Sequence, residues 1–248
     1  MLLRRLSQLA DFSPQEVDLV RNAGAGVEDV AAGTQLFAEG DRINRVTLVV
    51  SGWACHLRIL SDGRRQIFGF ALPGDLLGPW CRVATIAQTT AVMLKAGTIA
   101  DVTFMRDLLL EAPQRFPALS SALANLQSLH DGYLLNHLVR LGRQTAYERV
   151  ASLLLELNHR SAAVGLADGT SSPLPLTQEI LADALGLSIV HINRTLQQLR
   201  RDGLLDLRGS SLQLLDADQL TAIAEFQPPS APPSGRDWRE LRIWAPDR

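Results

Sequence analysis

Residues 188–201 carry His191, Asn193, Arg194, Gln197, Gln198, Arg200 and Arg201, and no acid. Arginine can pair with O6 and N7 of guanine, and asparagine with N6 and N7 of adenine, so this set suits base edges in a DNA major groove. Ile192, Leu196 and Leu199 recur at helical spacing and would turn inward. Upstream, Thr177 can cap one helix, Ile180, Leu181 and Leu185 can pack it, Gly186 can end it sharply, and Ser188 can cap the next. Two helices joined by so short a glycine turn make a helix-turn-helix. Free amides at the start of the second helix suit a phosphate, and the small hairpin after it, tipped by Arg208, would be a wing. The expected DNA contacts are Thr177, Gln178, Ser188, His191, Asn193, Arg194, Gln197 and Arg208. An ordinary helical hairpin with a solvated face is the alternative. The turn glycine, the paired caps, the acid-free helix and the wing together favour double-stranded DNA.

Whole-chain charge adds nothing to this reading, because 24 basic against 26 acidic residues leave −2. Residues 143–226 hold 7 arginines against 10 acids, so strong nonspecific DNA affinity is not expected. Lys95 is the only lysine, a composition bias without functional content. Catalytic signatures are missing: no glycine-rich phosphate loop, no Gly-x-Ser-x-Gly, no metal-spaced His/Glu pair and no nucleophile–base set, so an enzyme is not expected. Cys55 and Cys81 cannot make a four-cysteine zinc or iron–sulfur site; a redox pair and an inert buried thiol are the two readings left. His130 and His137 stand two helical turns, ~10.5 Å, apart, too far to share a metal on one chain. Haem or a metal held by them or by His56 is one reading, and polar positions in a helix seam are the other. No metal is expected. No apolar run reaches the ~18 residues of a membrane span, and Met1-Leu2-Leu3-Arg4-Arg5 begins no signal peptide. A cytoplasmic protein with no membrane partner is the expectation.

The elements that must position these residues fall into blocks. Ser13-Pro14-Gln15-Glu16 is a capping box with proline at the first helical position, with Phe12 and Val17 as a hydrophobic staple. From about 33 to 105, short apolar runs alternate with Gly, Asp and Pro. Strands are expected at 46–50, 55–60, 66–70, 91–94 and 99–104, with a hairpin at Asp62-Gly63. From about 106 the pattern is helical. Leu119, Leu126 and Tyr133 fall seven apart, as do Leu123, His130 and His137, and the six make the expected dimer seam. Further helices are expected at 144–159, 177–185 and 188–201, with a small hairpin at 204–215. The fold class is therefore α+β: an N-terminal antiparallel β-roll (1–112), a long dimerisation helix (113–141), a C-terminal winged helix-turn-helix (142–226), and a Pro-rich linker with a tail (227–248). In that tail Trp238, Leu241, Ile243 and Trp244 either dock or fray.

In this order the chain resembles the CRP/FNR family of bacterial transcription regulators. Gly33 with Leu36-Phe37-Ala38-Glu39-Gly40-Asp41 carries the likeness, then Val49-Val50-Ser51-Gly52-Trp53-Ala54, Asp62-Gly63-Arg64, and Leu72-Pro73-Gly74-Asp75-Leu76-Leu77-Gly78. Leu141-Gly142-Arg143 and Glu148-Arg149-Val150-Ala151 extend it. The resemblance spans about 12–226 and implies a homodimer, an effector-sensing cyclic-nucleotide-binding-like roll, a pseudopalindromic DNA site and contact with RNA polymerase. It makes Arg194 the base-reading arginine, with Ile189 and Val190 where cyclic-AMP binders carry Arg and Glu. It places the effector pocket at Gly78, Trp80, Arg82, Thr89 and Thr90. Cyclic-AMP binders follow the glycine with Glu-Leu and carry an Arg-Ser or Arg-Thr pair twelve residues on; here Pro79-Trp80 and Thr89-Thr90 stand instead. The ribose acceptor and the phosphate cation are lost together, so cyclic AMP is not the expected effector, although Arg82 lies near enough to substitute. The N-terminal cysteines of iron–sulfur oxygen sensors are absent. No cofactor is expected and the effector is left open. The second functional reading is a sensory module that acts through protein partners rather than DNA.

Overall fold

The computed structural model describes residues 1–24, 26–81 and 84–231. The chain opens with α1 (Leu2–Leu6) and α2 (Pro14–Asn22). Ser13 caps α2 through the expected box with Glu16. The Glu16 carboxylate also reaches across to the amides of Ala118 and Leu119, at 2.9 and 3.0 Å. One side chain thus serves the first turns of two helices, and its acidity is raised by those hydrogen bonds against the pull of burial.

Ten strands follow: β1 (Val27–Val30), β2 (Gln35–Phe37), β3 (Arg42–Ile43), β4 (Thr47–Val49), β5 (Trp53–Ile59), β6 (Arg65–Ala71), β7 (Leu76–Leu77), β8 (Thr85–Ile86), β9 (Thr90–Lys95) and β10 (Gly97–Asp101). They form antiparallel sheets ordered β1-β10-β4-β7 and β2-β9-β5-β6, with a β3-β8 ribbon. Val49, Leu77 and Ile99 from the first sheet meet Ala54, Ala71 and Met93 from the second in one buried cluster, which is the inside of the roll. The short strands β1–β3, β7 and β8, of two to four residues, carry too few residues for a period-2 pattern, and α1 is only five residues long.

The strand expected at 99–104 ends at Asp101. Its carboxylate accepts from the Thr103 amide at 2.9 Å, turning the chain into α3 (Thr103–Glu111), so Phe104 is helical. The long helix is α4 (Pro117–Arg143). Leu119, Leu123 and Leu126, expected on a dimer seam, are instead buried within the chain among Leu2, Leu6, Val20 and Met105. A seven-residue repeat marks a stripe on a helix but not what covers it, and here α1, α2 and α3 cover it. Leu134, Leu135, Leu138 and Val139 are the large apolar side chains that α4 leaves exposed, and they lie on another face.

The last unit holds α5 (Ala146–Ala163), β11 (Ser171–Pro173), α6 (Gln178–Leu185), α7 (Ile189–Arg201), β12 (Leu205–Arg208), β13 (Ser211–Leu214) and α8 (Ala217–Ala224). Thr145 and Glu148 form a capping box at the start of α5. The unit's core is continuous with the roll: Trp53, Leu57, Ile67 and Phe70 pack in one cluster with Leu153, Leu157, Leu181, Leu185 and Leu199.

Candidate nucleic-acid interface and sensory cavity

Three local devices build the helix pair. The Thr177 side chain accepts from the Ile180 amide, Gly186 turns left-handed at φ +63°, and the Ser188 side chain accepts from the His191 amide. Ile192, Leu196 and Leu199 face the core together with Thr195. His191, Arg194, Gln197, Arg200 and Arg201 are exposed on α7. Asn193 is half-buried and already engaged. Its Nδ2 donates to Gln178 Oε1 at 3.0 Å, and its Oδ1 accepts from Gln197 Nε2 at 2.8 Å. Gln178 and Asn193 therefore brace α6 against α7. Ile189 and Val190, left out of the expected contacts, are exposed in the first turn of α7. Apolar side chains there can meet a thymine methyl.

The wing is β12 and β13, in register from Leu205↔Leu214 to Arg208↔Ser211. Arg208 stands 88% exposed, and its Nε lies 2.6 Å from Asp206, which also pairs with Arg200 Nε at 3.3 Å. Asp206 thus orients two cations, one from the wing and one from α7. The helix pair is also anchored to the roll. Arg65 on β6 pairs with Glu179 at 2.6 Å and Asp183 at 2.7 Å on α6, and Gln66 Nε2 donates to the Ala184 carbonyl.

A cavity of about 580 Å³ lies where β5, β6, α4 and α5 meet. Of the expected effector residues, Thr89 lines it, its Oγ1 3.0 Å from His56 Nδ1. Gly78, Trp80 and Thr90 do not line it. Gly78 is left-handed at φ +94°, and a Cβ there would run into the Arg45 carbonyl. Thr90 Oγ1 accepts from the Glu39 amide at 3.1 Å. Trp80 stacks edge-on against His130 at 5.2 Å. Arg82 lies outside the described residues, as do Trp238, Leu241, Ile243 and Trp244.

The cavity's cations come from elsewhere: Arg58 on β5, Arg140 on α4 and Arg160 on α5. Arg160 Nη2 binds Asp75 at 2.7 Å, and Arg5 of α1 contacts the same carboxylate. Glu156 joins Arg140 at 2.7 Å. Burial chiefly holds Arg5 down to about 9, with Arg160 adding to it. His130, Tyr133 and His137, expected on a seam, line this cavity, as do Leu134 and Leu138. Burial, then Arg160, takes His56 down to about 4; burial, then Arg140, takes His137 to about 4; burial and Arg5 push His130 well below its ordinary value. All three imidazoles are neutral at pH 7.

Cys55 and Cys81 are not bonded to each other, and burial pushes the Cys55 thiol up to about 12, away from redox chemistry. Among the described residues no cluster of three or more His, Cys, Asp or Glu could hold a metal ion. No described helix is long and apolar enough to cross a membrane.

Two family models match: a cyclic nucleotide-binding domain over 27–102 and a Crp-like helix-turn-helix domain over 148–223. The chain is similar to the nitrogen fixation regulation protein FixK of Bradyrhizobium diazoefficiens, 34% identical over 78% of this chain and 80% of that one. It is also similar to the transcriptional activator protein FnrL of Cereibacter sphaeroides, 34% identical over 72% of this chain and 71% of that one. Among solved structures, FixK2 of Bradyrhizobium japonicum superposes with a TM-score of 0.68, at 27% identity, over 80% of this chain and 96% of that one.

Proposed function

The chain belongs to the CRP/FNR family of transcription regulators, and from that premise we propose that it works as a homodimer on a pseudopalindromic DNA site, under control of a signal sensed by its β-roll. The observation that carries the proposal is the acid-free face of α7, on which His191, Arg194, Gln197 and Arg201 are exposed. Arg194 is the base reader, Asn193 a brace that can also present its amide, and Arg208 the wing's phosphate contact. The exposed stripe Leu134, Leu135, Leu138 and Val139 is the dimer face. A two-fold pair would set two recognition helices roughly 34 Å apart, on half-sites one turn of DNA apart. The similarity to FnrL, named a transcriptional activator, favours a productive contact with RNA polymerase, and the protein would act in the cytoplasm. Cyclic AMP is not its effector, because neither a glutamate nor an arginine stands at the two family positions.

Selection of bound sequences from a random duplex pool is the test. Recovery of a symmetric motif is expected. Failure to enrich any motif would favour the second reading, a sensory module acting through protein partners.

A further inference from the structure

Phe68 and Phe70 from β6 and Tyr133 from α4 line the cavity beside aliphatic side chains such as Leu76, Leu77 and Leu153. Arg160 stands at its α5 side and is 5% exposed. Its Nη2 serves Asp75 and the Phe70 carbonyl, both at 2.7 Å, its Nη1 lies 3.5 Å from Glu156, and its guanidinium is 5.1 Å from the Tyr133 ring. Its Nε–H meets no acceptor. His130 lines the same cavity, and its buried Nε2 also has no partner. His137 Nε2 on the same cavity is likewise without a partner. Buried polar nitrogens left unpaired are costly and uncommon, and three of them on one cavity are what a ligand's acceptor atoms would satisfy. Three arginines line the cavity, Arg58, Arg140 and Arg160, against two acids, Asp131 and Glu156. Arg58 is paired with Glu39 and Arg140 with Glu156, so Arg160, with its Nε–H open, is the cation that a ligand's negative charge would meet.

We propose that this cavity takes a ring-bearing carboxylate, its head on Arg160 and its ring among Phe68, Phe70 and Tyr133. The proposal rests on reading the roll as the sensory unit and names what it senses. A carboxylate that grips Nε and Nη2 side by side competes with Asp75 for the same guanidinium edge. Asp75 belongs to the roll and Arg160 to α5, so occupancy loosens an ion pair that ties the sensor to the DNA-binding unit.

The probe is 1-naphthoate, titrated calorimetrically into the full-length protein beside 1-naphthalenemethanol, octanoate and cyclic AMP. Naphthoate should bind at least about tenfold more tightly than each of the other three, the order of one charge-assisted contact. Arg160→Gln should weaken it by about tenfold or more. Because that variant removes a buried ion pair and could unfold, the wild-type protein supplies a second readout. The Arg160 Nε–H resonance should move on adding naphthoate. The proposal is overturned if naphthoate does not bind, if the neutral alcohol or octanoate binds as tightly, if cyclic AMP binds in preference, or if naphthoate binds and the Nε–H resonance stays fixed. Operator affinity of the ligand-free protein is measured separately, so loss of DNA binding would sink the DNA reading while leaving the cavity result to stand.

Discussion

Arg194 and Asn193 sit side by side in the sequence but do different work. Arg194 is exposed, while Asn193 is held by Gln178 and Gln197. Arg194→Ala is expected to cost about 1–3 kcal/mol of operator binding and to relax preference at one position of each half-site. Affinities over a full set of single-base operator variants will show this, and an unchanged profile would mean that another residue reads that base. The neutral histidines set a pH dependence. His56 and His137 titrate near 4 in the folded chain and His130 well below its ordinary value, against ~6.5 when unfolded. Between those values the unfolded chain binds more protons, so stability is full above about pH 6.5 and is lost as pH falls toward 4. Thermal midpoints should fall steadily from pH 7 to pH 4.5 and change little from 7 to 8. Equal midpoints at pH 7 and pH 4.5 would show the imidazoles already charged in the fold.

At the scale of elements, the turn between α6 and α7 depends on a left-handed residue. Gly186→Val places a β-branched side chain at φ +63°, where neighbouring atoms leave room but the backbone does not. The strain is on the order of 1–2 kcal/mol, visible as a lower denaturation midpoint and as weaker operator binding at temperatures where the chain stays folded. On α4 two leucine substitutions separate its two faces. Leu135→Glu, on a side chain 62% exposed, should leave the single chain folded and shift sedimentation toward the monomer. Leu126→Glu buries a charge among α1, α2 and α3 and should destabilise the chain itself by several kcal/mol. If Leu135→Glu dimerises like the wild type, the dimer face lies elsewhere.

Across the whole molecule, sensor and reader share one core and several ion pairs. The strand β6 lines the cavity through Ile67, Phe68 and Phe70 and begins with Arg65 and Gln66, which hold α6. A shift of that strand would therefore reach the helix-turn-helix directly. Arg65 is 41% exposed, so its removal should cost little stability, ~1 kcal/mol or less. Arg65→Ala is expected to leave the thermal midpoint nearly unchanged while altering operator affinity, as fluorescence anisotropy on a labelled duplex would report. Equal affinity for both proteins would remove the Arg65 contacts from the coupling.

The helix-turn-helix was legible from residues alone because its determinants are local. Thr177, Gly186 and Ser188 act within three or four positions of themselves, and the hydrogen bonds that they make are set by backbone geometry. The hairpin at Asp62-Gly63 and the capping box at Ser13 were readable for the same reason, as were the order of the blocks and the family resemblance. What only the tertiary structure decided was which surface covers which. The repeat through Leu119, Leu123 and Leu126 was visible, but α1, a helix of five residues with no side-chain cap, helps to turn that stripe into core. Leu134, Leu135, Leu138 and Val139, which α4 leaves exposed, lie on a neighbouring face of the same helix. The cavity shows the same limit. Arg58, Arg140 and Arg160 are far apart in sequence, and each alone reads as a solvated charge. They come to line one cavity because antiparallel pairing brings β5 and β6 together and because α4 and α5 fold back across them, a closure that no local spacing encodes.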